Sequence, residues 1–264
     1  MKGVIFMQKN YQTKVVVQCA LFLAIGVALG YFSQMIPIGG SGSMRIGIAG
    51  FFYKMPSIIF GPLWGALVYG LKDFISYIIK PEGAYIFPMT LTATAGGAVS
   101  GFVFRMIKNR KAELMRIVYI LLIAATGMAG VFNHLNILYH PNGTWGKLLL
   151  RLGDKSALMT YGFYIVFAVG IVFYALNLYL QKKNNKDFSD THLKIFVTLF
   201  VSDIFITTVN TFILRAYYAG LGKLPFMVVY LPRLAEELIL IFVTSYVITY
   251  LYMLYQKLNI KKVN

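Results

Sequence analysis

The sequence has few acidic residues and few charges of either sign. Asp and Glu total 9 against 25 Lys and Arg in a chain of 264 residues, and only 13% of residues are charged. Soluble domains carry about 25% charged residues. Hydrophobic residues make up 58% of the chain and the mean hydropathy is +0.68. This composition excludes an ordinary soluble domain and indicates an integral membrane protein.

Residues for covalent, metal and nucleotide chemistry are also scarce. Cys19 is the single cysteine, so no disulfide can form within the chain. No GxxxxGK[ST] motif is present, so the chain does not carry its own loop for ATP phosphates. We place His134, His140 and His192 in loops, away from any cysteine or carboxylate cluster. We therefore expect no metal and no cofactor.

The net charge of +16 is dispersed among the loops and does not form one basic face. This distribution argues against nucleic acid as a partner. The positive-inside rule explains it instead. If the N-terminus is cytoplasmic, most basic residues fall in cytoplasmic segments around 2–14, 105–116, 182–194 and 257–262. We therefore expect a multi-pass membrane protein with both termini cytoplasmic.

Apolar windows long enough to cross a bilayer as helices predict an all-α fold of about eight transmembrane helices in one membrane domain, 1–264. Four helices fall in 15–106, a helical pair with its loops in 110–190, and the last two helices in 195–256. The windows are 15–36, 46–60, 62–79, 88–106, 117–133, 157–180, 195–214 and 234–256.

Ionisable residues inside these windows are candidate functional residues, because a charge near the centre of a membrane helix costs about 2.5 to 3.5 kcal/mol. Adjacent residues on a helix point about 100° apart, so Lys72 and Asp73 cannot share a face of their helix, and neither can Glu236 and Glu237. The candidates are Lys54, Lys72, Asp73, Asp203, Glu236 and Glu237.

The last helix opens with the sequence LPRLAEEL at residues 231–238. Pro232 suits the first turn of a helix. Arg233, Glu236 and Glu237 then cluster at its outer end, where a polar pocket could face water. The alternative is that an Arg233–Glu237 pair only orients the helix.

Two stripes of small residues lie on predicted helices. Ala20, Ala24 and Ala28 repeat every four residues in the first helix, and Ala93, Gly97 and Gly101 do so in the fourth. Small residues at this spacing let another helix approach closely. Spacing alone leaves open which stripe meets a partner protein and which serves internal packing.

Several motifs occur together in 44–104 and near the C-terminus. Residues 61–65 read GPLWG, 81–85 read PEGAY, 90–92 read TLT, 209–220 read VNTFILRAYYAG and 231–238 read LPRLAEEL. In this order, with Arg45 before the second helix and Asp73 in the third, they resemble the substrate-binding S-components of energy-coupling factor (ECF) vitamin transporters, most closely the folate family. The resemblance covers about 130 residues.

The chain departs from that family in three places. The family has six helices, so 110–190 represents an inserted pair, which preserves the orientation of everything downstream. Glu237 replaces a glutamine of the family, and Lys54 places a cation where the family is usually apolar.

The resemblance implies a vitamin-binding subunit, most closely for folate or a reduced folate, that is not an enzyme and docks on a transmembrane coupling protein carrying two ATPases. It assigns partner docking to Ala20, Ala24 and Ala28. For a folate, a carboxylate such as Glu237 or Asp73 would accept from the pterin, and arginines would hold the glutamate tail. The expected binding residues are Arg45, Lys54, Asp73, Tyr85, Thr90, Asn210, Arg215, Arg233 and Glu237.

Three alternatives remain at this stage. The chain could be an S-component for another vitamin or small molecule. It could be a standalone secondary transporter in which Lys72 and Asp73 couple to protons. An intramembrane enzyme, similar to prenyl-protein proteases, would use paired glutamates but needs histidines or a metal cluster inside the membrane, and we place all histidines in loops.

Overall fold

The computed structural model describes residues 2–32, 34–37, 43–46, 49–81, 83–150, 155–183 and 185–260. The fold is all-α apart from one short hairpin, as the apolar windows predict. The helices are α1 (Lys2–Tyr31), α2 (Gly50–Tyr53), α3 (Met55–Phe60), α4 (Pro62–Ile79), α5 (Phe87–Ile107), α6 (Ala112–Tyr139), α7 (Thr144–Leu150), α8 (Lys155–Lys182), α9 (Lys186–Tyr217), α10 (Ala219–Gly222) and α11 (Phe226–Ile260).

The hairpin follows α1 and consists of β1 (Gln34–Pro37) and β2 (Ser43–Ile46). The two strands are antiparallel, with Gln34 opposite Ile46 and Pro37 opposite Ser43. Backbone of β2 contacts α11. The hairpin therefore lies at the end of the bundle where α1 ends and α11 begins.

Six helices in the described part of the chain are long and apolar enough to cross a membrane, which makes this a multi-pass membrane protein. They correspond to six of the eight predicted windows. The window 46–60 instead contains the end of β2 and the short helices α2 and α3, whose ten residues would span only about 15 Å of a 30 Å hydrocarbon core. Helix α4, with 18 residues, carries Lys72 and Asp73, which lower its hydropathy.

Helices α9 and α11 form the middle of the bundle. Helix α5 packs against one side of α9, and α4 packs on α5 and α1. Helices α6 and α8 pack on each other and against α9 and α11. The expected inserted segment 110–190 is thus a pair of long helices joined through the short helix α7.

The main hydrophobic core includes side chains of this pair. Tyr119 of α6 is fully buried, with its ring centroid 4.3 Å from that of Phe196. Phe196 of α9 stacks on Phe242 of α11 at 5.1 Å. Phe163 and Val166 of α8 complete the same cluster. The pair is therefore packed into the core that α9 and α11 share.

The α4–α5 contact depends on the absence of side chains at facing glycines. A Cβ atom at Gly101 would lie 2.5 Å from the backbone nitrogen of Pro62, and one at Gly97 would overlap the backbone of Gly65. The stripe of Ala93, Gly97 and Gly101 thus serves internal packing. At the α3–α4 turn, Gly61 has a φ of 96°, a conformation that favours glycine.

Candidate functional site

A cavity of about 330 Å³ lies between α1, α2, α4, α9 and α11. It is near the C-terminal ends of α1 and α4, since Tyr31 and Lys80 both line it. Ligand pockets in proteins typically measure about 300–1,000 Å³. Its charged and amide-bearing lining residues are Lys54, Lys72, Lys80, Asn210 and Glu237.

Lys54 reaches the cavity because the chain breaks between two short helices. Helix α2 ends at Tyr53 and α3 begins at Met55, so Lys54 is the residue between them. Its side chain is buried, and Nζ donates to Oδ2 of Asp203 at 2.6 Å. Asp203 lies in the middle of α9 and is also buried. This is an ion pair between residues 149 positions apart in sequence.

Asp203 begins a polar face of α9 that continues toward the cavity. Thr207 follows one turn later and donates from Oγ1 to Oε2 of Glu237 on α11 at 3.2 Å. Asn210 follows Thr207 by three residues and lines the cavity. Of the two adjacent glutamates in α11, Glu237 lines the cavity and Glu236 is not among its lining residues.

Two polar atoms of the cavity wall are buried and have no hydrogen-bond partner in the described part of the chain. They are Oδ1 of Asn210 and Oγ of Ser76. Buried polar groups in folded proteins are nearly always paired, so exceptions point to water, an ion or a ligand. The cavity wall therefore offers hydrogen-bonding capacity that the protein itself does not use.

The lining carries more positive than negative charge. Lys72 is half-buried and its Nζ lies 5.1 Å from the centroid of the Tyr53 ring, a cation–π contact. Lys80 is exposed at the end of α4. Asp203 neutralises Lys54, so Lys72 and Lys80 against Glu237 leave the described lining with one excess positive charge. This excess suits a ligand that carries negative charge.

Three of the expected binding residues meet elsewhere, between α4 and the start of α5. Thr90 Oγ1 donates to Oδ2 of Asp73 at 2.6 Å, and the Tyr85 hydroxyl is 2.8 Å from Thr90 Oγ1. The Tyr85 ring packs against Phe74 and Tyr77. None of the three is among the residues that line the cavity.

Two arginines of the expected site, Arg215 and Arg233, are not among the described residues of the cavity lining. Arg215 donates from Nη2 to the carbonyl of Leu224 at 2.8 Å, which ties the end of α9 to the turn before α11. Arg233 lies in the first turns of α11, and its Nε is buried without a hydrogen-bond partner in the described chain. Arg45 belongs to β2, and its side chain lies outside the described residues.

Sequence reasoning missed the site contributions of Ser76 and Tyr53 and gave Asp203 no binding role. Asp203, Thr207 and Asn210 follow one another at spacings of four and three, which places them on one face of a helix. That spacing is visible in the sequence. No local pattern marks Tyr53 or Ser76.

The placement of His192 and His134 in loops was wrong. His192 lies in α9 and is fully buried, and His134 lies in α6, whereas His140 follows the last residue of α6, Tyr139, in the connection to α7. The error arose because α9 begins at Lys186, well before the predicted window at 195. Across the described residues, no three His, Cys, Asp or Glu side chains are grouped as metal ligands.

His192 belongs to a second polar cluster, between α8, α9 and α11. Its Nδ1 is 3.0 Å from Nδ2 of Asn177, and its Nε2 is 3.3 Å from Oγ of Ser245. Ser189 Oγ donates to Oδ1 of Asn177 at 2.8 Å. All four side chains are fully buried. We call this set, Asn177, Ser189, His192 and Ser245, the His192 cluster.

The alanine stripe of the first helix points away from the bundle. Ala20, Ala24 and Ala28 are exposed, whereas Gly26 on another face of α1 is buried against Tyr53. Among the six candidate spans, the one in α1 is the least buried by the rest of the chain. The stripe is therefore open to lipid or to another protein.

Comparisons with known proteins agree with the motifs. The family model of the ECF-type riboflavin transporter S component matches residues 10–138. The Folate transporter FolT of Clostridium novyi (strain NT) is 28% identical over 117 residues, which cover 44% of this chain and 61% of that protein. The chain thus spans less than two thirds of the length of this relative. No solved structure matches the chain.

Proposed function

We propose that this chain is an S-component that captures a water-soluble vitamin for an ECF transporter. The motifs, the family match and the folate-transporter relative all support this assignment. The matched family consists of transporter components and not enzymes. Folate or a reduced folate is the proposed cargo, because the curated relative is a folate transporter. The observation that carries the proposal is the cavity with its unpaired Asn210 and Ser76 atoms.

The cavity chemistry supports a vitamin with a polar heterocycle and an anionic tail. Glu237 and Asn210 supply acceptor oxygens for ring N–H groups. Lys72 and Lys80 lie nearer the ends of the helices and can attract carboxylates. Tyr53 supplies an aromatic ring in the cavity wall. A cavity of about 330 Å³ is at the low end for ligand sites, so the tail of a folate would extend beyond it.

The proposed orientation places the cavity on the outer face of a bacterial cell membrane. With the N-terminus cytoplasmic, as the positive-inside pattern predicts, α1 runs outward and ends at Tyr31 beside the cavity. Both termini are then cytoplasmic. The Arg45, Arg215 and Arg233 positions lie in segments at this same outer end, where they can act on an approaching anion before it enters.

The experiment that tests this function is calorimetric titration of the purified protein in detergent with folic acid, 5-formyltetrahydrofolate, riboflavin and the other B vitamins. We expect saturable binding of a folate and weaker binding in Glu237→Leu, which lacks the acceptor oxygens of the glutamate. Binding of a different vitamin would replace folate as the cargo and keep the S-component assignment. If the protein bound none of these vitamins, the result would contradict the proposal.

The exposed alanine stripe is the proposed docking surface for the transmembrane coupling protein, which carries two ATPases. A bulky side chain there should prevent close helix contact. We expect Ala24→Trp to keep vitamin binding but to lose uptake in cells that express the ATPase module. Ala124→Trp, on an exposed position of α6, is the matched control and should transport normally. Uptake by the wild type without any ATPase module would favour a secondary transporter instead.

A further inference from the structure

Lys54 is the most buried of the three lysines that line the cavity. It is 7% exposed, whereas Lys72 is half-buried and Lys80 is exposed. The three lysines therefore lie at different depths in the cavity, with Lys80 at its outer end and Lys54 at its inner end. A ligand that enters from the end of the bundle meets Lys54 last.

The Lys54 ammonium has donors to spare. An ammonium group carries three N–H donors. In the described structure, Nζ makes one hydrogen bond, to Oδ2 of Asp203. The other oxygen of Asp203 accepts from Ser202 at 3.3 Å. Each oxygen of Asp203 thus accepts one hydrogen bond, while Lys54, which lines the cavity, retains two N–H groups.

A buried ion pair contributes little to the free energy of unfolding. Replacing both partners of such a pair by apolar residues is often neutral or stabilising, because the desolvation of two charges offsets their attraction. Lys54, the member of this pair that lines the cavity, therefore lies where it can bind a ligand. Thr207, one turn along α9 from Asp203, donates to Glu237, so the pair and the acceptor side of the cavity are neighbours.

The inner end of the cavity thus combines a donor with an acceptor. Lys54 supplies N–H groups, and Glu237 has one carboxylate oxygen that Thr207 does not use. The unpaired Oδ1 of Asn210 lies further out, two turns beyond Asp203 on α9. The complementary ligand edge has an acceptor oxygen beside N–H donors. A ring carbonyl next to a ring N–H, the cyclic amide edge of a heterocycle, has this arrangement.

We infer that the ammonium group of Lys54 donates a hydrogen bond to the ring carbonyl of a bound cyclic-amide heterocycle. Asp203 is the positioning residue that holds the ammonium at the inner end of the cavity. The inference rests on the proposed function. It predicts that the heterocycle enters first and that the anionic tail remains near Lys72 and Lys80. The resemblance to the S-component family does not specify this orientation or a role for Asp203. The expected role of Lys54 as a binding residue does not specify them either.

The test uses the full-length protein in detergent and the double variant Lys54→Met/Asp203→Leu. This variant removes both charges together, so it should keep its thermal unfolding temperature. Folic acid and riboflavin both carry a cyclic-amide edge and serve as the probes. Aminopterin, in which an amino group replaces the ring carbonyl of folic acid, is the matched ligand control. Asp187→Asn, an exposed aspartate at the start of α9, is the matched protein control.

We expect the double variant to bind folic acid, or riboflavin if that is the vitamin bound, more than tenfold more weakly than the wild type. In the folic-acid case, the wild type should prefer folic acid over aminopterin by more than tenfold, and the double variant should lose most of this preference. Asp187→Asn should behave as the wild type. A charge-swapped protein, Lys54→Asp/Asp203→Lys, restores an ion pair but not the donor at the wall, so it should also bind weakly.

A folded double variant or charge-swapped protein that binds within twofold of the wild type would overturn the inference and leave the proposed function intact. Equal affinity of the wild type for folic acid and aminopterin would also overturn it, as would selective binding of a vitamin without a cyclic amide. No binding of any vitamin by the wild type would contradict the proposed function and this inference together. The experiment therefore separates the two failures.

Discussion

Two buried polar clusters lie on α9 and differ in what they leave unpaired. In the His192 cluster, hydrogen bonds join all four side chains, and none of the four lines the described cavity. In the cluster formed by Lys54, Asp203, Thr207, Asn210 and Glu237, three members line the cavity and Oδ1 of Asn210 is unpaired. A closed network fixes the packing of helices, whereas an open one is suited to a ligand.

The location of the two clusters agrees with this difference. The His192 cluster joins α8, which belongs to the expected inserted pair, to α9 and α11. The Lys54 cluster joins α9 and α11 to the residue between α2 and α3. The same two helices thus anchor the inserted pair on one side and border the cavity on the other.

The largest expected effect is on stability, from breaking the Lys54 pair on one side only. Asp203→Leu leaves a buried ammonium without its partner, which costs about 3 to 5 kcal/mol. Lys54→Met/Asp203→Leu should recover most of that loss. Thermal and denaturant unfolding of the three proteins in detergent measures this. If the single and double variants were equally stable, the pair would not be a coupled buried pair.

A smaller loss is expected from the closed cluster. His192→Leu removes one hydrogen bond from each of Asn177 and Ser245, which keep their bonds to Ser189 and to the carbonyl of Phe242. The two lost bonds should cost about 1 to 3 kcal/mol. Vitamin affinity should not change, because His192 is not part of the cavity wall. Unfolding and titration on the same preparation test both statements. A tenfold weaker affinity at nearly unchanged stability would remove the contrast between the clusters.

The smallest free-energy change is expected at Asn210. Asn210→Leu removes a carbonyl that is unpaired in the absence of ligand, so stability should not fall. Affinity for the vitamin should drop about tenfold, or about 1.4 kcal/mol. Asn136→Leu on α6 is the control, because its side chain lies away from the cavity and only bonds the carbonyl of Phe132. Unchanged affinity in Asn210→Leu would argue against an open site at this residue.

The long helices were predictable because apolar length is a local property of the sequence. The break at Lys54 was missed because the apolar run 46–60 was interpreted as one helix, although Pro56 in the first turn of α3 is a local signal for a helix start. The start of α9 at Lys186 was missed because the polar composition of the segment before residue 195 is typical of a loop. This error also misplaced His192.

The composition of the site was only partly predictable. Lys54, Asn210 and Glu237 were expected as binding residues and line the cavity, whereas Asp73, Tyr85 and Thr90 form a group between α4 and α5. Helical spacing shows which residues share a face. It does not show which helices meet, and the Lys54–Asp203 contact joins residues too distant in sequence for any local pattern to reveal.

The central claim is that the cavity holds the vitamin, and a filled cavity tests it most directly. Gly50 lines the cavity, and the one described atom that a Cβ there would meet is Cε of Lys54, at an ordinary contact distance of 3.8 Å. Gly50→Leu should therefore fold normally and fill part of the space. We predict that titration shows one saturable site in the wild type and at least tenfold weaker binding in Gly50→Leu. Equal affinity in the two folded proteins would contradict the claim.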